Sequence, residues 1–178
     1  MEHRTLSVFV ENTPWSLTRI TALLSRRGFA VDSLAAGPSE RPDVARVTVV
    51  VDSARQPITQ IAAQLDNLYD VRAAVPLDPA LAVRRELILM KVAAEGETAH
   101  ARIGEVLRLF HASTEQVGAA EIVVQAVGTA SELASLLALL AEFGVREVVR
   151  SGAVALEGCA PVPEPFAVAR GRLERSGV

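Results

Sequence analysis

Residues 5–77 and residues 86–156 run through the same order of hydrophobic runs and chain breaks, and this doubling restricts the chain to few folds. In the first pass, Thr5 to Val10 is a β-rich alternating run that ends at Glu11. Thr13-Pro14 predicts a helix N-cap with proline at the first helical position. Leu17, Ile20, Leu23 and Leu24 follow at helical spacing, and Gly28 stands where a helix stop is expected. Phe29 to Ala36 reads as a strand, Gly37, Pro38 and Pro42 mark a turn, and Val44 to Val51 is a second β-branched run. Pro57 opens a helix carrying Ile58, Ile61, Ala62, Leu65 and Leu68 on one face, and Val71 to Leu77 closes the unit.

The second pass repeats this grammar. Glu86 to Ala93 reads as a strand, and Ile103, Val106, Leu107 and Phe110 form a helical stripe. Thr114 to Val117 and Ile122 to Val127 flank the hairpin connection Gly118-Ala119-Ala120. Thr129 and Glu132 have the spacing of a capping box ahead of Leu133, Leu136, Leu137 and Leu140. Gly144 stops that helix, and Val145 to Leu156 is the last strand. Each pass is the split βαβ plan, with two helices over one face of a four-stranded antiparallel sheet. The expected fold class is therefore α+β, with two ferredoxin-like βαββαβ domains in tandem over residues 1–78 and 79–157. Residues 158–178, which include Pro161, Pro163 and Pro165, are expected to form a flexible tail. The open sheet faces and edges call for cover, supplied within the chain or by a second copy.

Composition narrows the function classes. Half of the residues are hydrophobic but only 4% are aromatic, so Val, Leu, Ile and Ala do the packing. A net charge of −3, with Lys91 the sole lysine, argues against a nucleic-acid groove. Met1 to Thr5 carry no apolar signal segment, and no apolar stretch reaches about 18 residues, so no membrane partner and a cytoplasmic location are expected. The single cysteine, Cys159, excludes an internal disulfide or a multi-cysteine metal site. None of the phosphate-loop, dinucleotide-binding, zinc-protease or nucleophile-elbow motifs occurs. His3, His100 and His111 lack metal-pair spacing, and Glu11, Asp32 and Glu86 have no partner in sequence. Lys91 lies in an apolar strand, where alternation turns it outward toward water or a carboxylate. No catalytic residues and no metal ligands are expected on this chain.

The strongest local signal is Glu11-Asn12-Thr13-Pro14-Trp15-Ser16-Leu17, where a strand meets a helix N-terminus. Such an end offers unpaired N–H groups and a favourable dipole to a carboxylate, and Asn12 adds polar capacity beside it.

The run Leu6 to Asn12 with Pro14, followed by Leu17-Thr18-Arg19-Ile20, resembles the opening of acetohydroxyacid synthase small subunits. Ser25-Arg26-Arg27-Gly28-Phe29, Asp32-Ser33-Leu34, Arg46-Val47-Thr48, Arg85-Glu86-Leu87, Lys91-Val92 and Arg150-Ser151-Gly152 continue the likeness in order. The resemblance implies that the first domain is an ACT domain. It further implies a homodimer that activates a separate acetohydroxyacid synthase catalytic subunit. No cofactor is expected on this chain, whereas thiamine diphosphate, Mg²⁺ and FAD are expected on that partner, which forms acetolactate from pyruvate.

An amino-acid effector, valine in the family, is implied where two ACT domains meet. The positions aligned with that pocket are Asn12, Trp15, Ser16, Leu17, Ala30 and Val31. Two of them depart from the family pattern. Trp15 stands where a glycine is usual, and Ala30 where an asparagine is usual. The expectation is a valine response lost or altered. A rival reading of the same residues is a free-standing ACT-type sensor of another ligand that controls a different partner.

Overall fold

A computed structural model describes residues 3–54 and 56–159 of the 178. Chain order is β1 (His3–Glu11), α1 (Ser16–Arg26), β2 (Val31–Pro38), β3 (Val44–Asp52), α2 (Ile58–Asp66) and β4 (Val71–Pro76). It continues with β5 (Val83–Ala93), α3 (Gly96–Leu109), β6 (Ser113–Val117), β7 (Glu121–Gly128), α4 (Ala130–Leu140) and β8 (Val145–Leu156). The sheets run β2-β3-β1-β4 and β6-β7-β5-β8, all pairs antiparallel. The two passes thus give the same topology, as the repeat predicts.

Alternation explains both cores. Leu6, Val8 and Val10 of β1 and Val47, Val49 and Val51 of β3 turn to one sheet face. There they meet Ile20 and Leu24 of α1 and Ile61 and Leu65 of α2. Ile88, Met90 and Val92 of β5 and Ile122 and Val124 of β7 meet Ile103, Leu107, Leu133, Leu136 and Leu140 in the same way. Each large aliphatic side chain fully removed from water contributes about 1.5–3 kcal/mol.

Three of the boundary differences from the sequence reading have a clear local reason. Helix α1 starts at Ser16 rather than beside Thr13, with Trp15 as its N-cap residue. The Thr13 N–H is turned back to Glu11 O at 2.7 Å, so Thr13 and Pro14 belong to the preceding turn. Strand β2 begins at Val31, not Phe29, because Phe29 N–H is bound to Leu24 O at 3.0 Å. That bond closes the helix around Gly28, whose φ of 69° requires glycine. Strand β5 begins at Val83, three residues before the expected Glu86, because those residues pair with the end of β8.

This last difference organises the molecule. Beyond Arg150, β8 passes through Gly152 at φ 75°, and there the β5–β8 register shifts. Val83–Glu86 and Ala153–Leu156 then form a two-stranded ribbon that lies against the first sheet, on the face away from its helices. Ala153 N–H donates to Ser33 Oγ at 3.3 Å, and Arg84 Nη1 to Thr5 Oγ1 at 3.4 Å. Side chains of Thr5, Ser7, Thr48 and Val50, which point away from the helices, are buried as a result. The sequence reading asked for cover within the chain or from a second copy, and here the chain supplies part of it.

The proposed tail from residue 158 lies outside the described residues beyond Cys159. At its start, Gly158 N–H is bound to Leu81 O at 3.1 Å.

Candidate functional site

The corner between β1 and α1 is held by backbone bonds to two other elements. Glu11 N–H donates to Asp70 O at 2.9 Å, and Asn12 N–H to Asp43 O at 3.0 Å. Asn12 Nδ2 donates to Pro42 O at 3.3 Å, which fixes the amide beside the β2–β3 turn. Ser16 is buried, and its hydroxyl donates to Glu11 O at 2.7 Å while lying 2.7 Å from Thr13 Oγ1. Ser16 therefore holds the corner together rather than offering its side chain outward. Arg19 on the next turn pairs with the buried carboxylate of Asp70 at 2.9 Å. Arg72 adds a pair with Asp43 at 2.9 Å.

No side chain caps α1. Ser16 N–H reaches Thr13 O at 3.3 Å and Arg19 N–H returns to Trp15 O at 3.0 Å. Between them, the first-turn donors of Leu17 and Thr18 lack a capping side chain. Trp15 stands at this end with 69% of its surface exposed. An uncapped helix end with polar Asn12 beside it suits a carboxylate.

The other expected residues lie elsewhere. Ala30 and Val31 sit at the start of β2, where Ala30 O accepts from Asp52 N–H at 3.0 Å. In the register, Glu11 is opposite Val44 of β3, and Val31 is opposite Val51. Seven residues of strand separate the two ends, about 23 Å at 3.3 Å per residue. Within one chain, Asn12, Trp15, Ser16 and Leu17 are brought together, and Ala30 and Val31 are not.

Strand β2 is also the edge of its sheet. It carries one charged residue, Asp32, and its only proline is the last residue. The opposite edge, β4, has the same layout, with Arg72 at its second position and Pro76 at its end, but it is six residues long against eight. Shortness is one protection against edge pairing, so β2, the longer strand, is the less protected edge.

The remaining sequence candidates are in structural pairs. His3 Nδ1 lies 2.6 Å from Asp32 Oδ2, Lys91 Nζ lies 3.2 Å from Glu147 Oε2, and Arg150 Nη1 lies 3.3 Å from Glu86 Oε2. Glu11 Oε1 is 4.0 Å from Arg72. His100 Nδ1 is 2.8 Å from Gly96 O within α3, and His111 follows α3 at φ 51°. Cys159 is free and exposed. Among the described residues no group of three or more His, Cys, Asp or Glu is placed to hold a metal, and no helix is long and apolar enough to cross a membrane. The sequence reading did not find the internal use of Ser16 or the place of β2 at the sheet edge.

Comparison with known proteins covers both halves. Residues 6–73 match the family described as the AHAS small subunit-like ACT domain. Residues 85–158 match the family described as the small subunit of acetolactate synthase. The acetolactate synthase small subunit of Mycobacterium leprae is 42% identical over 152 residues, covering 85% of this chain and 89% of that one. The probable acetolactate synthase small subunit of Methanothermobacter thermautotrophicus is 33% identical over 151 residues, covering 85% and 90%. The crystal structure of the Thermotoga maritima acetolactate synthase small subunit superposes with a TM-score of 0.83 at 27% identity, covering 90% of this chain and all of that one. With a repeated βαββαβ fold, an ACT first half and relatives matched along most of its length, the chain belongs to the acetolactate synthase small-subunit family.

Proposed function

We propose that this chain is a regulatory subunit that binds an acetolactate synthase catalytic subunit, raises its rate, and has lost or altered the valine response. Thiamine diphosphate, Mg²⁺ and FAD belong to the catalytic partner on this reading, and acetolactate forms there from pyruvate. The chain works in the cytoplasm, as two domains over 1–78 and 79–157. The observation that carries the proposal is the match to small subunits through both halves, over 85% of the chain.

The geometry supports a homodimer with an effector site at its seam. Antiparallel pairing of two β2 edges about a two-fold axis continues the sheet across both copies. It sets the start of one β2, with Ala30 and Val31, beside the end of the other, with Pro38. The Pro38 end lies at the Asn12 side of the sheet, through the β2–β3 turn that Asn12 grips. The two separated groups of residues then face each other across the seam.

In that seam the α1 end remains available to a carboxylate, but the other contacts are changed. Ala30 has no side-chain amide, and Trp15 puts an indole where a glycine would leave room. A free amino acid needs partners for both of its charges to offset their desolvation.

Mixing the chain with an acetolactate synthase catalytic subunit tests the proposal. Co-purification and a several-fold rise in acetolactate formation are expected, with no turnover by this chain alone. Acetolactate formed by the purified chain, or no effect on the catalytic subunit, would overturn it.

A further inference from the structure

The two halves meet along one row of residues. Glu86 of β5 stands between Gly128 of β7 and Ala153 of β8, Ala153 N–H reaches Ser33 of β2, and Ser33 is opposite Val50 of β3. A cavity of about 240 Å³ lies against this row, and its wall is drawn from both halves. His3, Asp32 and Val50 come from the first, and Arg84, Arg85 and Thr129 from the second. Sites for drug-sized ligands measure about 300–1,000 Å³, so this one suits a small metabolite rather than a nucleotide.

Charge in the cavity is unevenly matched. Asp32 is paired with His3 at 2.6 Å, and Glu86, whose side chain is only 12% exposed, with Arg150 at 3.3 Å. Both carboxylates are thus occupied. Arg84 and Arg85 form no ion pair with any described residue. Arg84 Nη1 donates to Thr5 Oγ1 at 3.4 Å and Arg85 Nη1 to Arg84 O at 2.8 Å. Each bond uses one of a guanidinium's five N–H donors, so most remain. The Glu132 carboxylate feels the charge of Arg85 but is bound to Thr129 N–H and Oγ1.

These facts select a ligand class. Two adjacent arginines without a counter-charge favour an anion, and a carboxylate meets the guanidinium fork with two parallel bonds. Val50 and Ala153 are buried beside it, so the wall also offers an apolar surface. A ligand ammonium finds no unpaired carboxylate here, and its desolvation is not offset.

We propose that this junction cavity binds a small aliphatic carboxylate without an ammonium group. Arg84 and Arg85 hold the carboxylate, and Val50 and Ala153 pack against the aliphatic body. Pyruvate and acetolactate belong to this class, so the chain would sense a reactant or product of its catalytic partner. That connection rests on the proposed regulatory function, whereas the binding does not. A ligand held between β3 of the first sheet and β5 and β8 of the second ties the halves together, and it stabilises the folded chain by mass action.

Calorimetry of the full chain alone tests the site, with isovalerate, valine and inorganic phosphate as probes. Isovalerate is expected to bind in the millimolar range or tighter, at least about tenfold more weakly in Arg84→Gln and in Arg85→Gln. Valine adds an ammonium to the same carbon skeleton, and phosphate lacks the aliphatic body. Each is expected to bind at least about tenfold more weakly than isovalerate. Melting of both variants without ligand checks the fold. Arg85 is exposed and its side chain bonds the backbone of Arg84, so Arg85→Gln is decisive if Arg84→Gln melts early.

No isovalerate heat, or heat unchanged in Arg85→Gln, would overturn the site; a carboxylate bound at the α1 end would give the second result. Valine or phosphate bound as tightly as isovalerate would overturn the ligand class. None of these outcomes bears on activation of a catalytic subunit, which is measured by mixing the two proteins.

Discussion

Helices α1 and α4 begin in opposite ways, although each follows a strand of the same repeated plan. At α4, Thr129 Oγ1 accepts from Glu132 N–H at 3.3 Å, and the Glu132 carboxylate accepts from Thr129 N–H at 2.7 Å and its hydroxyl at 2.9 Å. That end is closed by its own chain. At α1 the hydroxyls of Thr13 and Ser16 are spent on each other and on Glu11 O, and no side chain caps the helix. The contrast extends to the sheets. The first has its far face partly covered by the ribbon and leaves the eight-residue β2 at its edge. The second leaves Val127 and Val149 exposed on its far face, around the Lys91–Glu147 pair. By position in the repeat α4 answers to α2, and α3, which answers to α1, also has no side-chain capping bond from its N-cap residue Glu95, so the closed start belongs to α4 alone.

If the halves differ in ends and edges but not in core physics, equivalent core deletions should cost alike. Leu65→Ala in the first core and Leu136→Ala in the second each remove a side chain with no exposed surface. Each is expected to destabilise the chain by about 2–5 kcal/mol in chemical denaturation. A loss confined to one half would show that the two cores do not contribute on the same footing.

The open end can be sharpened by restoring what it lacks. Trp15→Gly combined with Ala30→Asn is expected to gain valine binding by about 1.5–3 kcal/mol, roughly ten- to a hundredfold in affinity. Calorimetry at low millimolar valine should show heat for the double variant and none for the wild type. Tight binding by the wild type would refute the pocket argument and leave the family assignment intact.

The seam between the halves depends on Gly152. Gly152→Val forces a β-branched residue to φ 75° and drives its Cβ toward Ser33. A loss of about 1–3 kcal/mol is expected. Faster amide exchange should appear at Thr5, Ser7 and Thr48, with β7 unchanged.

The smallest effect separates the helix ends themselves. Thr129→Ala should cost about 1 kcal/mol, whereas Thr13→Ala should cost less because the Thr13 side chain holds no helix N–H. The bond from Thr129 N–H, and then that from its hydroxyl, hold the Glu132 carboxyl below its ordinary pKa. A carboxyl lowered in the folded state contributes stability above its unfolded pKa and loses it as pH falls through the lowered value. The Thr129→Ala difference should therefore be greatest near neutrality and shrink in acid.

What could be read from the sequence was the local part of this contrast. The repeat, the stop at Gly28, the Thr129–Glu132 box and the span of β8 all follow from residues within a few positions of one another. What could not be read depends on contacts between distant residues. Asp32 meets His3 29 residues away, Glu86 meets Arg150 64 residues away, and Ser33 meets Ala153 120 residues away. Of the site, the Asn12–Leu17 corner was legible as a helix end. The separation of Ala30 and Val31 from it by a strand length was not, because only the sheet register shows which end of β2 lies near Asn12.

Trp15 is the chain's only tryptophan, so its emission reports directly on the seam. In a single chain the indole is mostly in water. Emission should shift to the blue as protein concentration rises through the range where sedimentation shows dimer formation. Emission that stays that of a solvent-exposed indole in a sample shown to be dimeric would place Trp15 outside the seam and contradict the two-chain site.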